Sequence, residues 1–277
     1  MIIRKGPAEI ERIALAGDLV AATIAHVGEH IEPGITTGEL DAIAGTFIAA
    51  NGGKSASKGY HGTYPAEICI SPNDMVVHGI PGPYRVREGD LITIDVGVVL
   101  DGAIGDSAYT FAVGTIDPEA QRLLDTCQDA LAAGISQAHP GNRVGDISHA
   151  IQVVDEEAGF AVVRSLVGHG VGRHYHEDPH VPNFGQAGRG PKLSEGMTIA
   201  IEPMITVGSP EVFLESDHWS ISTEDGSLAA HFEHTVAITT SRPRILTPRV
   251  GIAGERGERL GCYSTRSAAR RSRCAAE

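Results

Sequence analysis

A constant spacing of 107 residues relates two parts of this chain. Pro33-Gly34 recurs as Pro140-Gly141, an offset of 140 − 33 = 107 residues. The same offset relates Gly38 to Gly145, Gly52 to Gly159, Glu88-Gly89 to Glu195-Gly196 and Asp95 to Glu202. Each match alone is weak because Pro and Gly mark many turns, but the shared register predicts two related halves built as helix, helix, strand. Two such strands that meet at a pseudo-two-fold axis would bring Asp95 and Glu202 together.

Hydrophobic spacing and capping signals predict four helices. The first contains Pro7 in its first turn, and the second follows Thr36, with Glu39 completing a capping box. The third opens at Asp117-Pro118 and runs to about Gln137, and the fourth covers roughly Val144 to Glu157. Apolar β-rich runs predict strands at 91–96, 108–113, 161–163, 197–202 and 235–238. This order lacks the regular strand and helix alternation of a doubly wound sheet, so the predicted class is α+β.

Composition excludes several classes of protein. The 277 residues are 42% hydrophobic, which is enough for a substantial core, and charges interrupt every stretch that a signal peptide or membrane span would need. We therefore expect a cytoplasmic protein without membrane contact. The net charge of −13 argues against DNA binding. The four cysteines show no paired close spacing, so free thiols are expected.

Five residues stand out as candidates for chemistry. Asp95 and Glu202 lie in apolar strands, where an ionised carboxylate is costly unless a cation or several donors compensate it. Asp106 follows a turn-rich link, so a hairpin could place it beside Asp95. Glu233 begins another apolar strand, and His169 lies between glycines that permit close approach.

Converging carboxylates repel one another, so such a set needs positive charge at its middle. Carboxylates with one imidazole suit Mn, Fe, Co or Zn, and paired metals about 3.5–4 Å apart commonly activate water for hydrolysis. The set therefore predicts metal-assisted hydrolysis. Each residue taken singly has another interpretation. Asp95 or Glu202 could equally be a buried acid satisfied by Arg or backbone donors. His169 could be a loop histidine, Asp106 could be a turn residue and Glu233 could be a charge at a strand edge.

Motifs between Ile10 and Thr247 resemble those of type I methionine aminopeptidases. Besides the five residues above, the resemblance is carried by Asp41, Val77-His78-Gly79-Ile80-Pro81, Gly168-His169-Gly170-Val171-Gly172, His176-Glu177-Asp178-Pro179, Glu202-Pro203 and Phe232-Glu233-His234-Thr235. It implies a pita-bread fold, with two pseudo-two-fold-related halves and a central curved antiparallel sheet covered by helices. It also implies a catalytic domain over residues 1–248 with a dinuclear metal centre.

The resemblance further implies roles for single residues. Asp95 would ligate one ion through both oxygens, Asp106 and Glu233 would bridge two divalent ions, and His169 and Glu202 would complete the other ion's shell. Activated water would attack the first peptide bond, with Glu202 as the proton carrier. His78 and His176 would contact the substrate, and His176 would stabilise the developing oxyanion. Five other histidines are predicted to be surface or supporting residues: His174, His180, His218, His231 and His234.

An apolar cup for a methionine side chain is implied by the same resemblance. Residues matching those that line it are Tyr60, Tyr64, Cys69, Tyr175 and Trp219, whose alternative interpretation is ordinary core packing. The implied activity is removal of the initiator methionine from nascent chains when the second residue is small. Residues 59–65 carry one residue more than the usual pattern, which affects the register of Tyr64. Ser57 and Tyr175 replace the Cys and Phe of some relatives.

Two other functions remain open on the sequence. An aminopeptidase P or prolidase would cleave before proline but generally has an additional N-terminal domain, and a non-catalytic pita-bread scaffold should lack metal ligands. The basic segment 249–277 contains seven Arg and three Glu, a net charge of +4. Its composition predicts disorder, with transient ribosome association as a weaker hypothesis. A monomer is expected.

Overall fold

A computed structural model describes residues 1–248 of the chain. The predicted tail, residues 249–277, lies outside the described residues, so the domain boundary at residue 248 stays a prediction. Four α-helices are present within this part: α1 Pro7–Gly28, α2 Thr37–Ala50, α3 Pro118–Ser136 and α4 Val144–Glu157. The predicted helices are thereby confirmed. None of these helices is long and apolar enough to cross a membrane.

Fifteen strands lie in the described part of the chain, and most are short. Their bounds are β1 Lys54–Ser55, β2 Cys69–Pro72, β3 Met75–Val77, β4 Leu91–Leu100, β5 Ala103–Ala112, β6 Ala161–Val162, β7 Val167–Gly170, β8 Glu177–Pro182, β9 Thr198–Ile201, β10 Met204–Thr206, β11 Val212–Leu214, β12 Ile221–Thr223, β13 Ala229–His231, β14 His234–Ala237 and β15 Arg244–Ile245. They form four antiparallel sheets: β1-β4-β2 with β5 on β4, β13-β10-β6, β11-β12-β3, and β15-β14-β9-β7-β8. The predicted α+β class is confirmed.

The 107-residue spacing has a structural basis. Helix α4 begins and ends 107 residues after α2, and the capping-box carboxylate of Glu39 recurs in Asp146, which accepts a hydrogen bond from the Arg143 amide. The Gly34 amide donates to the Val86 carbonyl, and the Gly141 amide donates to the equivalent Leu193 carbonyl. Gly34 and Gly141 adopt the same left-handed conformation, with φ of 103° and 101°. The two halves therefore repeat one local structure.

Each half has its own hydrophobic core. In the first half, α1 packs on β4 and β5, and α2 packs on α1, β1 and β2, with Leu19, Leu40 and Ile94 in the shared core. In the second half, α3 packs on β9, β10 and β13, and α4 packs on α3, β6 and β8, with Leu123 and Ile201 in the shared core. The helices thus cover the outer side of the strands, and the acidic residues occupy the seam between the halves.

The hairpin of β4 and β5 has a turn of only two residues. Leu100 pairs with Ala103, and the intervening Asp101 and Gly102 both have positive φ, 48° and 74°, as a type I′ turn requires. The strand predicted at 108–113 consequently starts earlier, at Ala103, because residues 103–105 already belong to the ladder. This register fixes which side chains of the two strands share a face.

Candidate metal centre and substrate cavity

Asp95 and Asp106 lie on one face of the hairpin. Asp95 pairs with Ala108 and Gly97 pairs with Asp106, so the two carboxylates are diagonal neighbours across the ladder. The predicted folding of Asp106 back beside Asp95 is confirmed. Gly97 is required between them, because a Cβ at this position would lie 2.4 Å from the Tyr175 hydroxyl oxygen.

Glu202 and Glu233 face each other from the other half. Glu202 directly follows β9 and Glu233 directly precedes β14, and these strands pair with His234 opposite Ile201. The Glu233 amide donates a 3.0 Å hydrogen bond to the carbonyl of Ala108, the residue opposite Asp95. This contact joins the acidic strand ends of both halves.

His169 turns one ring nitrogen toward the acids. Its Nδ1 lies 2.9 Å from the Gly170 carbonyl oxygen and therefore donates, since a carbonyl oxygen only accepts. The unprotonated Nε2 lies 3.7 Å from Asp106 Oδ2 and 3.5 Å from Glu202 Oε1. Ligand atoms of Asp106, His169 and Glu233 all lie within 4.8 Å of one another. The geometry leaves a nitrogen lone pair beside three carboxylates.

Burial destabilises the ionised form of these carboxylates unless a positive charge or hydrogen-bond donors compensate it. It raises the pKa of Asp95 to about 7 and raises the pKa values of Asp106, Glu202 and Glu233 well above the ordinary range, with the neighbouring acids adding to the effect. Burial also lowers the pKa of His169 to about 4, which leaves its imidazole neutral.

Among the described residues, no Lys or Arg faces these acids. Within residues 1–248, buried oxygens of Glu202 and Glu233 have no hydrogen-bond partner. The alternative of a buried acid satisfied by Arg therefore has no support. Hard oxygen donors with one imidazole fit divalent cations such as Mn, Fe, Co or Zn.

Every residue predicted for the site lines one cavity of about 390 Å³. The predicted ligands form one wall, together with His78 and His176. The predicted cup residues Tyr60, Tyr64, Cys69, Tyr175 and Trp219 form the rest, with Leu166, Val167 and Met204 adding apolar surface. One cavity thus joins the acidic cluster to a space of the size and polarity that suit an apolar side chain.

Aromatic contacts define the cup. Tyr64 is buried, its hydroxyl donates to the Gly79 carbonyl, and its ring meets Trp219 edge to face with centroids 5.2 Å apart. The Tyr60 hydroxyl oxygen lies 2.6 Å from Nδ1 of His176. The Tyr175 hydroxyl lies 3.2 Å from Ser57 Oγ and donates a long hydrogen bond of 3.5 Å to Asp106. Residues 60–62 form a short 3₁₀ turn, and Tyr64 lies in the cup.

His231 was missed by the sequence analysis. It was predicted to be a surface or supporting residue, yet it is 2% exposed and lines the cavity, so the surface placement is wrong. His234 is buried as well, and its Nδ1 contacts Thr247 Oγ1 at 3.0 Å. The position of His231, two residues before Glu233 and therefore on the same side of an extended chain, was the one signal available.

The sequence profile of metallopeptidase family M24 matches residues 11–240. The chain belongs to this family. A methionine aminopeptidase of Clostridium perfringens is 49% identical over 247 residues, which cover 89% of this chain and 99% of that protein. A solved methionine aminopeptidase from Thermotoga maritima superposes with a TM-score of 0.87 at 43% identity, covering 89% of this chain and 99% of that one. The predicted family resemblance is confirmed, and family M24 membership implies divalent metal binding.

The prolidase of Pyrococcus horikoshii shares the fold at lower similarity. Its TM-score is 0.72 at 22% identity, and the match covers 89% of this chain but only 64% of that one. This likeness concerns the fold alone. With the methionine aminopeptidase structures, it confirms the pita-bread fold that the sequence predicted.

Proposed function

We propose that this member of family M24 is a metallo-aminopeptidase that removes the N-terminal methionine from polypeptides. The observation that carries the proposal is one cavity that has the acidic cluster on one wall and the aromatic and apolar cup on the other. In this position, the cup selects the first side chain while the first peptide bond lies beside the acids. Methionine fits because its flexible apolar chain adapts to aromatic walls.

Two divalent ions are proposed, with the ligand assignment of the sequence analysis. Asp106 and Glu233 would hold both ions, Asp95 would complete the shell of one, and His169 and Glu202 would complete the shell of the other. Bound ions would polarise the scissile carbonyl and lower the pKa of a water molecule. The spacing of Asp106, His169 and Glu233 supports this set, since their ligand atoms share one small volume.

The remaining chemistry falls to side chains at the cavity wall. Glu202 is the proposed proton carrier to the leaving amine, because its buried carboxylate lines the cavity beside His169. His176 lies beside His169, with ring centroids 4.1 Å apart, and donates to the carbonyl oxygen as negative charge develops there. His78, held with φ of 59° in the cavity wall, contacts the substrate.

Crowding beside the acids would restrict the second substrate residue to small side chains. Nascent polypeptides are the proposed substrates, in the cytoplasm, with a monomer as the active form. Transient association of the basic tail with the ribosome is a separate proposal that rests on its charge of +4.

Turnover of Met-Ala-Ser compared with an Ala-Pro peptide tests the proposal. Both peptides are offered to protein reconstituted with Mn, Fe, Co or Zn, and Met-Ala-Ser is expected to be cleaved faster. Met-Leu-Ser is the matched control for the second residue and is expected to be cleaved poorly. Faster cleavage of the Ala-Pro peptide would assign the chain to the proline-directed enzymes instead, and no cleavage of either peptide would favour a scaffold.

A further inference from the structure

His231 is a buried imidazole that the proposed mechanism does not use. It ends strand β13, where it pairs with Met204 of β10, and it is 2% exposed. Its backbone is fixed by Thr110, whose Oγ1 donates to the His231 carbonyl at 2.8 Å and accepts from the His231 amide at 3.0 Å. In the described structure, neither ring nitrogen has a hydrogen-bond partner. A rigidly held polar ring without a partner is costly, which indicates a partner in the working site.

The polar atom facing His231 belongs to Glu202. His231 Nε2 lies 3.8 Å from Glu202 Oε2, whereas the other carboxylate oxygen, Oε1, lies 3.5 Å from Nε2 of His169. The two oxygens of one carboxylate therefore face two different imidazoles. The 3.8 Å gap exceeds a hydrogen bond by less than 1 Å, and a small rotation about the terminal side-chain torsions closes it.

We propose that His231 is a positioning residue that donates its Nε2–H to Glu202 Oε2 and thereby holds Oε1 toward His169. This inference rests on the proposed function, in which Glu202 and His169 belong to the same ion. A neutral imidazole suits this place because it donates a hydrogen bond without adding charge. Four carboxylates already balance two divalent cations, so a Lys or Arg would oppose metal binding at the same position.

The consequence is specific to one of the two proposed ions. Some residues orient a metal-ligating side chain through a hydrogen bond without touching the metal. Removal of such a residue typically lowers metal affinity or activity by about 10- to 100-fold. Glu202 and His169 are assigned to the same ion. Loss of the His231 donor should therefore weaken the binding of that ion and leave the binding of the other ion unchanged. A purely structural role for His231 would instead affect both ions or the stability of the fold.

Calorimetric titration of Mn²⁺ into the full metal-free chain tests this proposal. His231→Leu removes the donor and keeps an apolar side chain, and it should weaken one of two binding events by about 10- to 100-fold. His231→Gln restores an N–H donor and should return that affinity close to the wild-type value. Turnover of Met-Ala-Ser at saturating Mn²⁺ should fall in kcat for the Leu variant and recover with Gln. His26→Gln, a substitution on α1 outside the cavity, is the matched control.

A second measurement uses the unaltered protein and does not depend on folding of a variant. In the ¹⁵N NMR spectrum of the Zn²⁺-loaded chain, the His231 ring should carry its proton on Nε2. A proton on Nδ1 would overturn the proposal. Equal loss of Mn²⁺ affinity in His231→Gln and His231→Leu would also overturn it, as would wild-type affinity for both ions in His231→Leu. Failure of the wild-type chain itself to bind two ions would contradict the proposed function and is recognised separately from these results.

Discussion

The contact between Tyr60 and His176 determines which nitrogen of the histidine can serve the substrate. The phenol oxygen lies 2.6 Å from Nδ1 of His176. If the phenol donates to Nδ1, the imidazole proton resides on Nε2, where it can stabilise an oxyanion. Burial lowers the pKa of His176 to about 3, so the ring is neutral and has only one N–H. With the phenol as the donor, Tyr60 holds His176 in the tautomer that the proposed role requires.

Substitution of Tyr60 by Phe removes this hydrogen bond and retains the ring. We expect kcat for Met-Ala-Ser to fall by about 10-fold or more, with a smaller change in KM, because the lost contact acts on the transition state. The matched control is Tyr84→Phe, whose hydroxyl donates to Asp90 outside the cavity. Steady-state kinetics measures both constants, and a rise in KM with kcat unchanged would show that Tyr60 only binds substrate.

At this scale, the sequence predicts the residues that have a local signature. Asp95 and Glu202 are identifiable because an acid in an apolar strand needs compensation, and their shared offset predicts that they meet. His231 has no such signature, since its relation to Glu202 depends on the pairing of β10 with β13. The sequence did not predict either of these short strands.

The loop that carries Tyr175 and His176 is anchored by a buried ion pair. Lys5 Nζ lies 2.6 Å from Glu177 Oε2, and the two side chains are 1% and 2% exposed. The other carboxylate oxygen accepts from the amides of Arg173 and His174 at 2.7 and 2.9 Å. Glu177 thus connects the N-terminal segment to the connection between β7 and β8.

Breaking this pair at Lys5 should destabilise the protein strongly. Lys5→Met leaves the Glu177 charge buried without its cation, and we expect a loss of about 3–5 kcal/mol in the free energy of unfolding. The double variant Lys5→Met, Glu177→Gln removes the charge while its amide oxygen still accepts from the loop, so much of the loss should be recovered. Denaturant unfolding provides the comparison. Additive losses in the double variant would mean that the two side chains act independently.

Helix α4 contains a carboxyl group that opposes folding at high pH. Asp155 is fully buried, and within the described residues neither oxygen has a hydrogen-bond partner. Burial raises the pKa of Asp155 to about 8, with the neighbouring Glu156 adding to the rise. Between about pH 4 and pH 8, the folded state holds a proton that the unfolded state has released. The free energy of unfolding should therefore fall as the pH rises through this range.

Asp155→Asn removes the titrating group and nearly preserves its shape. We expect the variant to gain stability relative to the original chain as the pH rises from 5 to 8, seen as a growing difference in Tm. Asp125→Asn, an exposed position on α3, is the control and should show no such trend. A difference in Tm that stays constant from pH 5 to pH 8 would mean that Asp155 does not hold its proton in the folded state.

Helices and strands differ in how well the sequence predicts them. The prediction of α4 over roughly Val144 to Glu157 is confirmed, because its helical apolar period and the following Gly159 agree locally. The sequence did not predict β1–β3, β7, β8, β10–β13 or β15, since strands of two to six residues carry little alternation. Strand β8 contains Pro179, and β7 consists half of glycine. Their existence depends on partners that are distant in the sequence.

On the scale of the molecule, the proposed catalysis uses residues 1–248 and does not require residues 249–277. Among the described residues, those that line the cavity all lie between Ser57 and Glu233. A chain ending at residue 248 should therefore cleave Met-Ala-Ser with the same kcat/KM as the full chain. The proposed ribosome contact should be weaker after the same truncation, as measured by co-sedimentation at low salt. Unchanged co-sedimentation would remove the ribosome hypothesis, and a large loss of turnover would assign the tail to catalysis.

The central claim is that acids from both halves share a pair of divalent cations. Anomalous diffraction at the Mn absorption edge from Mn²⁺-soaked crystals tests it most directly. The account requires two peaks about 3.5–4 Å apart in the cavity, both contacted by the carboxylates of Asp106 and Glu233, with one also beside His169. Absence of anomalous density between these residues, or a manganese ion bound only elsewhere on the protein, would contradict the proposed metal centre.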